Sequence, residues 1–181
     1  MTMGATMLSK TLKRIQKENK LTCKQVAKMA GVSESAVVRY GLGDRNIPED
    51  VITNLAKFSD FEELKMAYKA EKKLGIINIP LMNGIDDNIQ CMILKMIQEE
   101  IPEAVEAFKE ISSLTMNKKF LGESETEELY KHMEQVADLI PPIETFLIRL
   151  KKIFGVSLDR LDMTECEKFR QKHYIVDIEE G

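Results

Sequence analysis

The chain has 181 residues, 44% hydrophobic and 31% charged, a balance that supports a buried core and argues against wholesale disorder. No apolar run approaches the roughly 18 residues needed to cross a bilayer, Met1–Leu8 resembles no secretion leader, and three dispersed cysteines (Cys23, Cys91, Cys166) argue against a disulfide framework or zinc module. The net charge of −4, the absence of Trp and the dominance of Leu, Ile, Met, Lys and Glu predict an all-α protein, cytoplasmic and independent of membranes. Charge is unevenly spread: Met1–Ile47 carries nine Lys and Arg against three acidic residues, a net +6, leaving −10 for the remainder. Such a basic lobe can attract nucleic-acid phosphates locally, or it can simply be a solvated, lysine-rich helix face.

Apolar residues at helical spacing, Leu8, Leu12 and Ile15, predict a first helix that ends in the polar Lys17-Glu18-Asn19-Lys20 stretch. Thr22 stands as an N-cap with Gln25 three residues on, a capping box, and Val26, Ala27 and Ala30 face inward on the short helix that follows. Gly31 is placed to end that helix in the left-handed conformation. Ser33 then caps another short helix that runs through Ala36 and Val37 to Tyr40, with Gly41 and Gly43 expected to break it. Ile47-Pro48 is expected to open a fourth helix, with Pro in its first position and Val51, Ile52, Leu55, Ala56 and Phe58 available for burial. Two short helices joined by Ala30-Gly31-Val32-Ser33 cross steeply, as in a helix-turn-helix. Such a crossing leaves Glu34, Ser35, Val38 and Arg39 outward, on a face that fits a major groove about 12 Å wide.

The run Leu21-Thr22-Cys23-Lys24-Gln25-Val26-Ala27-Lys28-Met29-Ala30-Gly31-Val32-Ser33-Glu34-Ser35-Ala36-Val37-Val38-Arg39-Tyr40 closely resembles the helix-turn-helix of lambda-repressor-like (Cro/XRE) DNA-binding domains. Gly43-Asp44-Arg45-Asn46-Ile47-Pro48 is similar to the loop before that family's fourth helix, and the likeness covers about Leu8 to Phe61. The resemblance implies that Glu34, Ser35 and Arg39 read base edges and that Val38 touches a thymine methyl. It implies phosphate contacts at Ser33, at Thr22, Cys23 and Lys24 around the start of the preceding helix, and at Arg45 and Asn46 in the loop. One departure is visible. Where many family members bury an Arg–Glu ion pair this chain has Gln16 and Gly41, and losing both partners together leaves no lone charge to bury.

Beyond this domain, at residues 1–73, a helix through Lys65–Lys73 is expected, then a linker at 74–87 and a helical domain at 88–181. Ile89, Met92, Ile93, Met96 and Ile97 form an apolar stripe; it suits either core packing or an adaptable contact surface. Ile101-Pro102 is expected to start a helix with Val105, Phe108 and Ile111 on one face. Ser124 with Glu127 would cap a helix lined by Leu129, Met133, Val136 and Ile140, stopped by Pro141-Pro142. Phe146, Leu147, Leu150 and Phe154 would line the next, closed by Gly155, and Thr164 with Glu167 would cap the last. His173–Ile178 reads as a short strand or an extended tail. The segment Pro142–Leu161 also resembles the closing helices of the same family, without an Ala-Gly-Val-Ser turn upstream, so decayed repeat and chance similarity both stay open.

Catalytic signatures are missing. His132 and His173 are isolated, Asp86-Asp87 lacks the spaced oxygens of a calcium loop, and no GxSxG, Walker, GxGxxG or HExxH pattern occurs. The expectation is a non-enzyme without cofactor or metal: a repressor-like transcriptional regulator binding a double-stranded DNA operator as a homodimer. Its C-terminal domain would dimerise or take a small-molecule or protein effector. The alternative is a protein-interaction module, an antitoxin or anti-regulator, that uses the same fold to mask a partner.

Overall fold

The computed structural model describes residues 6–58, 61–86 and 88–175, and among them the regular structure is helical throughout, without a strand. The first lobe is built by α1 (Met7–Glu18), α2 (Cys23–Ala30), α3 (Glu34–Leu42), α4 (Glu49–Leu55) and α5 (Glu62–Lys72). Each start has a local cause. Thr6 accepts from the Ser9 N–H, Thr22 and Gln25 form the expected capping box, and Ser33 accepts from the Ala36 N–H. The Glu71 carboxylate of α5 accepts from the Leu8 N–H at 3.2 Å, a favourable place for an anion at the start of α1.

Leu8, Leu12, Ile15, Val26, Val37, Tyr40, Leu55, Phe61 and Leu64 are buried in the lobe's core. Three expectations shift here. Gly41 does not break α3; it sits buried inside the helix under the Lys13 side chain, and Gly43, at φ 77°, ends it. Pro48 is the N-cap of α4 rather than its first residue. Phe58 lies beyond α4 and is exposed, whereas Phe61 takes the buried position.

The segment between the lobes is docked, not slack: Leu81 is buried with Met66 and Ile148, and the Met82 N–H donates to Thr145 Oγ1 at 3.4 Å. Next come α6 (Ile89–Lys95), α7 (Ile101–Thr115), α8 (Glu123–Ala137), α9 (Ile140–Phe154) and α10 (Leu158–Gln171). Ile101-Pro102 starts α7 as expected, yet without a break in the helical path. A π-helical turn at Met96–Glu100, in which the Ile101 N–H bonds to the Met96 carbonyl, carries α6 straight into α7. Pro102 explains the widening, because its ring would clash with the carbonyl four residues back and it has no N–H to donate.

Other boundaries move for similar reasons. Gly122, not Ser124, caps α8: Glu125 reaches back to the Gly122 N–H at 2.9 Å while Lys118 Nζ donates to it at 2.6 Å. Pro141 and Pro142 fall in the first turn of α9, where no intrahelical N–H is needed, so they begin a helix and do not merely end one. Ser157, not Thr164, caps α10, and Thr164 Oγ1 donates to the Arg160 carbonyl inside the helix. Residues 173–175 form a turn, and 176–178 lie outside the described residues.

On α9, Pro141, Pro142, Thr145, Ile148 and Arg149 are buried, while Phe146, Leu147 and Leu150 are half-buried and Phe154 is exposed. Charge attaches this helix to the first lobe. Glu63 of α5 is paired with Arg14 of α1 and, at 3.6 Å, with Arg149 of α9. The neighbouring Glu62 holds Lys151, and Lys152 lies 3.6 Å from Glu18. Burial costs the Arg14 guanidinium its hydration, yet the Glu63 and Glu18 carboxylates together more than compensate and raise its pKa.

Glu63→Ala strips two cations of a shared, buried counter-charge and is expected to lose about 3–5 kcal/mol of stability in urea denaturation. A second expectation concerns α8. Its cap carboxylate, Glu125, titrates below the ordinary glutamate range because Lys118 and the Gly122 N–H both stabilise the anion. The stabilisation is therefore present above the unfolded-state pKa and lost as pH falls through the lowered folded-state value. The protection factors of the first-turn amides of α8, each exchange rate taken against its intrinsic value at that pH, should fall over that acid window in the parent, and much less in Glu125→Gln.

Candidate functional site

The α2–α3 unit owes its shape to three residues. Gly31 takes φ 72°, Val32 is half-buried against the core, and Ser33 starts α3. Asn54 of α4 donates from Nδ2 to the Ala30 carbonyl at 3.4 Å and ties the turn to the lobe. With Ala36, Val37 and Tyr40 buried, helical periodicity turns Glu34, Ser35, Val38 and Arg39 outward, and all four are exposed.

The ten sequence-selected residues are not equivalent. Glu34, Val38, Arg39, Lys24 and Asn46 are exposed, and among the described residues their side chains make no hydrogen bond or ion pair. Ser33 Oγ is engaged with the Ala36 N–H and lies 3.0 Å from Ser35 Oγ, so that pair is partly committed within the helix start. Thr22 is committed further, accepting from the Gln25 N–H and donating to Gln25 Oε1 at 2.9 Å. Cys23 turns its thiol back toward α1, where Gln16 Nε2 donates to Sγ at 3.7 Å, and only its backbone is available to a partner. Arg45 is exposed, with its guanidinium 5.7 Å from the centre of the Tyr40 ring; that contact holds the loop cation beside α3. Thr22–Lys24 lie at the opposite end of α2 from the turn, about 12 Å along its axis.

Two exposed residues were not selected from sequence. Lys28 stands one turn after Lys24 on α2, a spacing that was readable. Leu42 continues the outer row of α3 at i+4 from Val38; it was missed because Gly41 was taken as a helix breaker. Together Lys24, Lys28, Arg39 and Arg45 form a set of cations without ion pairs among the described residues, whereas Arg14 is tied to Glu18 and Glu63. Chemically the surface offers cations, a carboxylate, hydroxyls and one apolar contact around two helix starts, a set suited to an anionic partner that also presents hydrogen-bonding edges.

Elsewhere the described residues hold no His/Cys/Asp/Glu cluster able to bind a metal and no helix long and apolar enough to cross a membrane. The methionine stripe of α6 opens on a cavity of about 170 Å³, lined by Met82, Ile85, Met92, Met96 and Pro142, with Cys91 and Lys95 also in its wall. Desolvation and the neighbouring Asp86 push the pKa of the Cys91 thiol up. No family model matches the chain, and neither a curated protein nor a solved structure is significantly similar to it.

No atom lies within 4 Å of a Cβ built on Gly31, so the cost of a side chain there is backbone strain alone. Gly31→Ala is expected to lose about 1–2 kcal/mol in thermal denaturation, and Gly31→Asn distinctly less.

Proposed function

We propose that this chain is a cytoplasmic, repressor-like transcriptional regulator that binds double-stranded DNA as a homodimer. In this reading α1–α5 form a lambda-repressor-like helix-turn-helix domain, and α3 enters the major groove. The observation that carries it is the bare outer face of α3. The C-terminal helices engage α1 and α5 through Glu62 and Glu63, while Glu34, Ser35, Val38 and Arg39 stay exposed. The lobe that bears this face is the basic part of an acidic chain.

Each contact has its chemistry. Arg39 can pair bidentately with guanine O6 and N7, Glu34 can accept from cytosine N4, and the Val38 methyls can meet a thymine methyl. Free backbone N–H groups at the starts of α2 and α3, with Lys24, Arg45 and Asn46, would hold phosphates and set register. One helix reads too few base pairs for an operator, so two copies would read two half-sites related by protein symmetry.

A second reading draws on Val38 and Leu42, which are 45% and 50% exposed on α3. An apolar pair at the centre of this face suits a protein partner, as in an antitoxin or anti-regulator. Selection of bound sites from random duplex DNA at a stated salt concentration separates the two, because a two-fold symmetric consensus supports DNA reading. On the selected site Arg39→Ala should lose about 1–3 kcal/mol and relax base preference at one position in each half-site. Lys24→Ala should instead weaken all sequences alike and lower the salt slope by about 1. No enrichment in the parent, or undiminished binding by Arg39→Ala, sinks the proposed readout.

A further inference from the structure

Helices α7 and α8 pack as an antiparallel hairpin. On α7, Ala104 and Ala107 are buried and Ile111 and Leu114 half-buried; on α8, Leu129, His132 and Val136 are half-buried. This seam is thin: α8 fully buries no residue at all. A second stripe on each helix points away from it. On α7 and its approach the stripe is Leu94, Ile97, Ile101, Val105, Phe108 and Met116, exposed from 44% to 62%. On α8 it comprises Tyr130 and Met133, flanked by Phe120 in the loop before the helix and Ile140 just after it, all exposed.

Helical geometry puts the two stripes together. At 3.6 residues per turn, each lies about a hundred degrees round from the seam in the same chain sense. Because the helices run in opposite directions, equal rotations bring both stripes to the same side of the hairpin. Residues 101–137 contain twelve charged side chains among 37, yet none of those twelve falls on either stripe. The two stripes are therefore apolar, with Lys109, ion-paired to Glu106, at the edge of the face beside Phe108 and Met116.

We infer that this face is where a second copy of the chain docks, hairpin on hairpin, closing a four-helix bundle about a two-fold axis. Its size fits. Leu94 to Met116 spans about 33 Å and two helices side by side are roughly 20 Å wide, so the face measures about 650 Å², near the ~800 Å² per partner of a stable interface. Apolar faces of this extent are uncommon on monomers. A self-complementary patch is what a two-fold dimer requires. The inference rests on the proposed DNA reading for its purpose, since it supplies the second α3.

Light scattering after size exclusion tests it on the full chain. The parent should be a dimer, and Phe108→Glu should raise its dissociation constant by about a hundredfold or more, a charge in an apolar interface being left without a partner. Because Phe108→Glu could disturb the hairpin itself, Phe108→Gln combined with Met133→Gln provides a milder variant. It should weaken the dimer while circular dichroism and the melting of the first lobe stay unchanged. A parent that is monomeric at all concentrations overturns the inference, as does a dimer indifferent to both variants. A monomer that sediments with phosphatidylcholine vesicles overturns it in favour of a lipid surface. The two proposals fail separately. A dimer that these variants disrupt but that selects no DNA site leaves the interface standing without the regulator, whereas a monomer that binds single half-sites does the reverse.

Discussion

The mutual placement of the two lobes depends on two adjacent carboxylates, Glu62 and Glu63, in the first turn of α5. A helix start favours anions, but these two are nearly withdrawn from water and cannot remain charged without compensation. The first lobe supplies Arg14, and α9 supplies Arg149 and Lys151. Apolar contact at this junction is slight among the described residues: Met66, Leu81 and Ile148 are buried together, against sixteen residues in the core of the first lobe. Hydrophobic burial is non-directional and would let α9 slide; a buried cation facing a buried carboxylate has few tolerable positions. Ion pairs of this kind add little net stability over an apolar replacement. Here their work is geometric, fixing where α9 sits.

That placement determines what surface is left. Charges of the two lobes are spent on one another here: Lys152 of α9 lies 3.6 Å from Glu18, and Lys69 of α5 lies 3.6 Å from Glu144. Arg14 is consumed in the same junction. Of the eight other Lys and Arg in Met1–Ile47, Lys24, Lys28, Arg39 and Arg45 lie on α2, α3 and the loop after them, and none of these four is neutralised by an ion pair among the described residues. The net −4 of the whole chain therefore says little about the α3 face, because the local field there is set by the nearest unpaired groups.

The legible parts of the fold were those specified within a few residues. Thr22 with Gln25, Gly31 and Ser33 could each be read because a cap or a left-handed glycine depends on its neighbours alone. The same logic gave Gly155 as the end of α9 but was not carried on to Ser157. There Gly155 takes φ 67° and Ser157 caps α10, repeating the geometry of Ala30–Ser33. Pro141–Pro142 misled, since a proline pair can end a helix or begin one and only the path of the chain decides; the π turn ahead of Pro102 was not read either. Periodicity found α7 but not its environment: Val105 and Phe108 form a regular stripe that would equally suit a core, and their exposure is a tertiary fact. The Glu62–Glu63 junction joins residues almost ninety positions apart, beyond any local pattern. Of the proposed contact residues, exposure followed from the wheel of α3 and the commitment of Thr22 from its capping box, whereas the contact of Cys23 with Gln16 of α1 is tertiary and has no local pattern.

These features connect. In the proposed dimer the hairpin face joins two copies, and the half-site spacing is then set by the path from hairpin to α3. That path runs from α7 through the π turn to α6, onto α9, across Glu63 to α1 and α5, and so to the core under α3. Most steps along it are packed helices; the step across Glu63 is electrostatic and has little apolar support. A half-site spacing of about 34–36 Å tolerates little error. The carboxylate pair is thus the joint that sets the orientation of the tightly folded first lobe relative to the hairpin face. The apolar cavity bounded by Met82, Met92 and Pro142 adjoins that path where α6 meets α9, close to the Met82–Thr145 tether.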